Sequence, residues 1–187
     1  MVVTATPTNV TADQLAELPN SDLFELVRGN LVKRSLSPKS AFVGNEIYCQ
    51  FRDYAKQRPG FGFAFADGLD FLIVSDDEGD TVRKPDAAFV LMGRIPNGKL
   101  PEKRFDFSPD LAVEVLSPTD ISFDVEAKIQ EYLDAGTQIV WLAKPKSRRI
   151  SVYRPDGTEV TFGPNDTITA EPVLPGFSMR VGDVFPT

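Results

Sequence analysis

The run Leu111-Ala112-Val113-Glu114-Val115-Leu116 sets the tightest limit on how this chain can fold. It is apolar on both faces that a strand presents, so it belongs in the middle of a sheet that is covered on both sides. Glu114 is its one charge. Burying a carboxylate there is costly unless a cation or hydrogen-bond donors meet it. Strand alternation puts Glu114 with Leu116 on one face and Leu111, Val113 and Val115 on the other. A second carboxylate, Asp86, interrupts another strand-like stretch, between Thr81-Val82 and Ala87-Ala88-Phe89-Val90-Leu91. A divalent metal shared by Asp86 and Glu114 would balance both charges. Lys128 follows on the helix directly after the glutamate strand, and its long stem can lean back over the sheet end.

Each of these residues also has a plain structural reading. Asp86 would be a strand-edge carboxylate held by Arg83 or Lys84. Glu114 would be half of a buried ion pair with an arginine. Lys128 would be a surface partner of Asp124 at (i, i+4), worth only ~0.3–0.5 kcal/mol. Against that stands the chemistry of the set. Hydrolysing a phosphodiester needs a more acidic water and neutralisation of the charge building on the phosphate oxygens. Carboxylates holding one or two Mg²⁺ supply both, and a nearby lysine adds stabilisation or orients the water.

Composition narrows the chemistry further. The 187 residues include no histidine, which removes serine- or cysteine-histidine catalysis, histidine-ligated zinc and histidine general bases. All-oxygen ligation favours magnesium, manganese or calcium. Cys49 is alone, so no internal disulfide forms. The net charge of −7 argues against broad non-specific affinity for nucleic acid, while leaving room for a local basic rim. No run approaches the roughly 18–20 apolar residues of a membrane span, and the start lacks a secretory signal. The expectation is a soluble cytoplasmic protein with no membrane association.

The rest of the chain supplies a frame for the site. Residues 1–10 are polar and Thr-rich, a flexible N-terminus, and residues 11–187 form a single domain. Thr11 caps a short helix. Residues 23–27 and 31–34 flank Arg28-Gly29-Asn30 as a hairpin, with Glu25 as an outward strand charge. Val43, Ile47, Phe51 and Tyr54 repeat at helical spacing, so a long amphipathic helix runs over 40–56, with Glu46 on its solvated side. Residues 61–66 and 70–74 are two strands around Asp67-Gly68. The acidic loop 75–80 lacks the ligand spacing of a calcium site. After a proline- and glycine-rich loop over 93–109 come the glutamate strand, a helix over 122–135 and a buried strand over 138–143. Strand, helix, strand over this distance predicts an α/β fold with a mixed sheet. The basic turn Lys144, Lys146, Arg148 and Arg149 is a solvated hairpin tip.

The residues also carry a family likeness. Residues 11–19 and 24–32 resemble the opening of the bacterial putative restriction endonuclease family, the Uma-two family. Arg83-Lys84-Pro85-Asp86-Ala87-Ala88-Phe89-Val90 resembles its Pro-Asp strand. Pro109-Asp110-Leu111-Ala112-Val113-Glu114-Val115-Leu116-Ser117-Pro118 is similar to its most specific motif. Lys128, Tyr132, Ala135-Gly136, Trp141-Leu142 and Leu174-Pro175-Gly176-Phe177 continue the pattern.

The resemblance implies a PD-(D/E)XK nuclease fold, a restriction-endonuclease-like mixed central β-sheet flanked by helices with additional β-hairpins. It implies Asp86 and Glu114 as metal ligands, joined by the backbone carbonyl of Val115. Lys128 becomes the migrated lysine, since the position two after the glutamate holds Leu116. Glu25 becomes an extra catalytic acid, and Arg83, Lys84 and Ser117 are candidate substrate contacts. The implied activity is that of a Mg²⁺- (or Mn²⁺-) dependent endonuclease acting on DNA as a homodimer. Members often carry a histidine near Val43 or Gly44, and this chain has none. That departure and the −7 charge keep open a second reading, a nuclease fold serving as a binding or assembly module. A third is a hydrolase of another phosphoester.

Overall fold

In the computed structural model, which describes residues 9–35, 37–118 and 120–186, the chain begins with helix α1 (Ala12–Glu17) and the hairpin β1 (Phe24–Val27) and β2 (Asn30–Lys33). The long helix α2 (Pro38–Lys56) precedes four strands, β3 (Gly62–Ala66), β4 (Phe71–Val74), β5 (Thr81–Arg83) and β6 (Ala87–Leu91). Strand β7 (Leu111–Val115) leads into helix α3 (Ser122–Asp134), then β8 (Ile139–Lys144), β9 (Arg149–Tyr153) and β10 (Glu159–Phe162). The hairpin β11 (Thr167–Ala170) and β12 (Leu174–Arg180) comes last. Both N-terminal helix starts are written locally. Thr11 and Gln14 form a capping box on α1, and Ser37 and Ser40 do the same on α2, with Pro38 in its first turn.

The central sheet has the order β10-β9-β8-β7-β6-β3, and β7 lies inside it as its apolar sequence requires. Strands β7 and β8 are parallel and joined through α3, while β6 pairs with β7 antiparallel, so the sheet is mixed. On one face Leu111, Val113 and Val115 join Val43, Ile47 and Phe51 of α2 and the C-terminal hairpin in one core. On the other, Ala112 packs with Ile129 and Tyr132 of α3. Each fully buried Leu, Ile or Phe contributes about 1.5–3 kcal/mol, so the two-sided burial of β7 anchors the layers.

A second sheet, β2-β1-β5-β4, stands beside the first. Its presence changes two expectations. The stretch 81–91 is two strands in two sheets, and Lys84-Pro85-Asp86 is the step between them. Pro85 has no N–H to give a ladder, which suits it to such a step. Likewise β3 and β4 part at Asp67-Gly68, β3 pairing with β6 and β4 with β5. Most of the N-terminal stretch 1–10 lies outside the described residues. Val10, however, is core: it is 7% exposed and its N–H donates to the Gly29 carbonyl at 2.9 Å. Among the described residues, no helix is long and apolar enough to cross a membrane.

Candidate active site

A cavity of about 440 Å³ opens where the β1–β2 hairpin, the end of β7 and helix α3 meet, and Glu25, Arg34, Arg83, Asp86, Glu114 and Lys128 line it. Elements of both sheets converge here because the step at residues 84–86 brings the second sheet against the end of the first.

Glu114 faces α3, as strand alternation requires. One carboxylate oxygen, Oε2, accepts from the Lys128 ammonium at 2.8 Å, and Oε1 accepts from the Tyr132 hydroxyl at 2.9 Å. Burial raises its pKa, Glu25 adds to the rise, and Lys128 opposes it. Asp86 stands beside it because Ala87 pairs with Val113. Just before β6 begins, Asp86 Oδ2 accepts the Val115 N–H at 2.7 Å. Burial, with the Glu114 charge behind it, pushes the Asp86 carboxyl up to about 8. The nearest guanidinium, that of Arg34, is 3.9 Å from Oδ1, beyond hydrogen-bond range.

Lys128 bridges two acids. Its Nζ is 3.0 Å from Glu25 Oε1 and 2.8 Å from Glu114 Oε2. Burial acts to lower its pKa, but Glu114 and Glu25 outweigh that and hold it above the ordinary lysine value. The group is therefore an ammonium, suited to stabilising anionic oxygen and unsuited to taking a proton. Glu25 is 4% exposed and fully engaged. Besides Lys128, it accepts from the Lys84 N–H at 2.7 Å and from Arg83 Nη1 at 2.9 Å. Burial works to raise its carboxyl, and these partners overcome that and hold it down to about 2.

These contacts replace several expectations. Glu25 points inward, because its face of the second sheet is turned toward Lys128 of α3 and is closed by Arg83 and the Lys84 N–H. Lys128 pairs with Glu25 and Glu114 and leaves Asp124 aside. Glu114 takes a lysine and a tyrosine in place of an arginine. Asp86 is held by neither neighbour in sequence: Arg83 turns to Glu25 and Glu131, and Lys84 to Asp70. Of the three candidate substrate contacts, only Arg83 lines the cavity, and its guanidinium is already held between two glutamates. Lys84 is 2% exposed and lies behind the wall. Ser117 is buried in the turn after β7, where its N–H donates to the Asp120 carboxylate at 2.7 Å. Glu46 is half-buried on α2, away from the cavity.

Two contributors escaped the sequence reading. Tyr132 lies one turn beyond Lys128 on the same face of α3, a spacing that could have revealed it. Arg34 meets its partners Asp67 and Lys84 across distances in sequence that no local pattern spans. Neither Val43 nor Gly44, near which the resemblance implies a histidine, lines the cavity. Val43 is core, and a Cβ at Gly44 would lie 3.1 Å from the Asp86 Cβ and backbone oxygen.

Asp86 and Glu114 offer the hard oxygen donors that Mg²⁺ or Mn²⁺ prefers. Two largely buried carboxylates whose pKa values both rise, Asp86 partly through the Glu114 charge, form the charge pattern a divalent cation relieves. Among the described residues, no three His, Cys, Asp or Glu side chains gather to hold an ion. The remaining positions would fall to a backbone carbonyl, water and substrate oxygens, an arrangement that Mg²⁺ commonly adopts.

The family model for Uma2, described as putative restriction endonuclease, matches residues 12–182. The chain belongs to the Uma2 family. Glu25, Asp86, Glu114 and Lys128 all fall within the matched span. A crystal structure of a putative nuclease belonging to DUF820, from Anabaena variabilis ATCC 29413, shares the fold with a TM-score of 0.78. It is 25% identical in sequence, and the alignment covers 94% of this chain and 97% of that one. No curated protein matches the sequence. The mixed sheet flanked by helices in this Uma2 member is thus a nuclease-type fold.

Proposed function

We propose that this Uma2 protein is a Mg²⁺- or Mn²⁺-dependent endonuclease that hydrolyses phosphodiester bonds in DNA. The observation that carries the reading is the largely buried Asp86–Glu114 pair at the cavity, with the Lys128 ammonium 2.8 Å from Glu114. Asp86, Glu114 and the Val115 carbonyl would hold the cation. When bound, a divalent ion there supplies Lewis acidity to water and to the phosphate oxygens. Asp86 must shed its proton to act as a ligand, so cation binding and proton release are linked. Lys128, kept charged by its two glutamates, offers its Nζ to anionic oxygen in the transition state. Glu25 holds Lys128 in place and acts through it. Tyr132 fixes the rotation of the Glu114 carboxylate. Lys33 and Arg34 also line the cavity and bring positive charge to it, a local counterweight to the overall −7. Cutting both strands of a duplex calls for two such sites, and we assign them to a homodimer.

The test is calorimetric Mn²⁺ titration of the wild type and of Asp86→Ala, followed by nicking of supercoiled plasmid. Saturable binding that the variant loses, with nicking lost in step, is the expected result. Binding without nicking would favour a nuclease fold kept as a binding module. No binding by the wild type would make the carboxylates structural and end the nuclease reading.

A further inference from the structure

We infer that Arg34 is a positioning residue of the site: its guanidinium secures the step that carries Asp86 and so sets that carboxylate against Glu114. The purpose of this arrangement rests on the nuclease reading, but its geometry does not.

Arg34 directly follows β2, and its side chain is 7% exposed although it lines the cavity. Three separate parts of the chain meet on it. Nη1 donates to the Asp22 carbonyl at 3.3 Å, ahead of β1. Nη2 donates to the Asp67 carboxylate in the β3–β4 turn and to the Lys84 carbonyl at 3.1 Å. The same nitrogen lies 3.9 Å from Asp86 Oδ1, close enough for charge to act without a hydrogen bond.

The contact to Lys84 matters because of what the step lacks. Residues 84–86 lie between β5 and β6 and belong to neither strand. Pro85 contributes no N–H. The backbone of this step is tied by Lys84 N–H to Glu25, by Asp86 N–H to the Val113 carbonyl at 2.9 Å, and by the Lys84 carbonyl to Arg34. Remove the guanidinium and that carbonyl loses its donor next to the residue that must aim a carboxylate. A planar fork reaching several acceptors at once is a property of arginine that lysine reproduces only in part. Asp67 completes the design by compensating the Arg34 charge, which limits its competition with a cation at Asp86.

The experiment compares wild type, Arg34→Ala and Arg34→Lys by amide hydrogen exchange, Mn²⁺ calorimetry and thermal melting. The reporters are the Val115 amide, bonded to Asp86 Oδ2, and the Asp86 amide, with the core amide of Val152 as a control. Both reporters should exchange about tenfold faster in Arg34→Ala while Val152 is unchanged, the pattern of a local opening. Mn²⁺ affinity should weaken roughly 10–100-fold, the usual cost of losing an outer partner of a metal ligand, with the melting temperature nearly constant. Arg34→Lys should recover part of both effects, and it supplies the same readings if the alanine variant does not fold. Wild-type exchange at Val115 and Asp86 in both variants overturns the inference, as does uniform acceleration that includes Val152. Mn²⁺ binding that tightens would also overturn it, showing Arg34 to be merely a repelling charge. If the wild type binds no Mn²⁺, the nuclease reading fails by itself, and the exchange pattern still decides what Arg34 does.

Discussion

Replacing Glu25 by glutamine removes one negative charge from a pocket built around it while keeping the side chain's size. The carboxylate meets the Lys128 ammonium at 3.0 Å, the Lys84 N–H at 2.7 Å and Arg83 Nη1 at 2.9 Å. Together these outweigh burial and take its pKa from an ordinary 4.5 to about 2. That depression amounts to roughly 3 kcal/mol of stability at neutral pH. The sign follows from the direction: the contribution is fully present above pH 4.5 and is lost as the pH falls toward 2. Asp86 runs the opposite way, since its carboxyl is raised to about 8, favouring the fold below its ordinary 3.8 and losing that effect by pH 8. The difference between wild type and Glu25→Gln isolates the Glu25 part. Urea unfolding at several pH values should show a gap of about 3 kcal/mol at pH 7, shrinking to less than half near pH 3. In a chain of this size the gap corresponds to about 6–12 °C in melting temperature. A gap under about 0.5 kcal/mol at pH 7, or one that does not narrow in acid, would refute the account of Glu25 as a charge anchor.

Three further outcomes are expected. Lys128→Met should abolish plasmid nicking and destabilise the fold by about 3 kcal/mol, because Glu114 is left buried without its cation; Glu114→Gln added to it should cost less than Glu114→Gln alone, as a double-mutant cycle in urea would show. Tyr132→Phe should cost about 1.5–3 kcal/mol in thermal unfolding through the lost bond to Glu114, and Mn²⁺ calorimetry should register a weaker site. Gly44→Ala places a Cβ 3.1 Å from Asp86, so it should weaken Mn²⁺ binding while the fold loses only about 1–3 kcal/mol.

The central strand, the long helix over α2, the βαβ unit and the Glu114–Lys128 association were legible because each depends on local pattern. A run apolar on both faces must be covered twice, and apolar residues at helical spacing must face a core. A lone charge in such a run must find a partner, and a helix that follows its strand is the nearest place to look. The Pro85-Asp86 dipeptide interrupts a strand-like stretch in the sequence, but local pattern does not show that the chain breaks there between two sheets.

Only the tertiary structure decided where the break leads and what surrounds it. Glu25 and Arg34 acquire their roles from a second sheet that meets the end of the first at residues 84–86, and Tyr132 acquires its role from the packing of α3 on β7. The same convergence turned Glu25 from an outward charge into the anchor of Lys128, and it drew Arg83 and Lys84 away from Asp86 toward Glu131 and Asp70. Periodicity records which face of an element is buried, while ion pairing depends on which elements meet. That depends on the path of the whole chain, and charges tens of residues apart leave no local pattern from which it could be read.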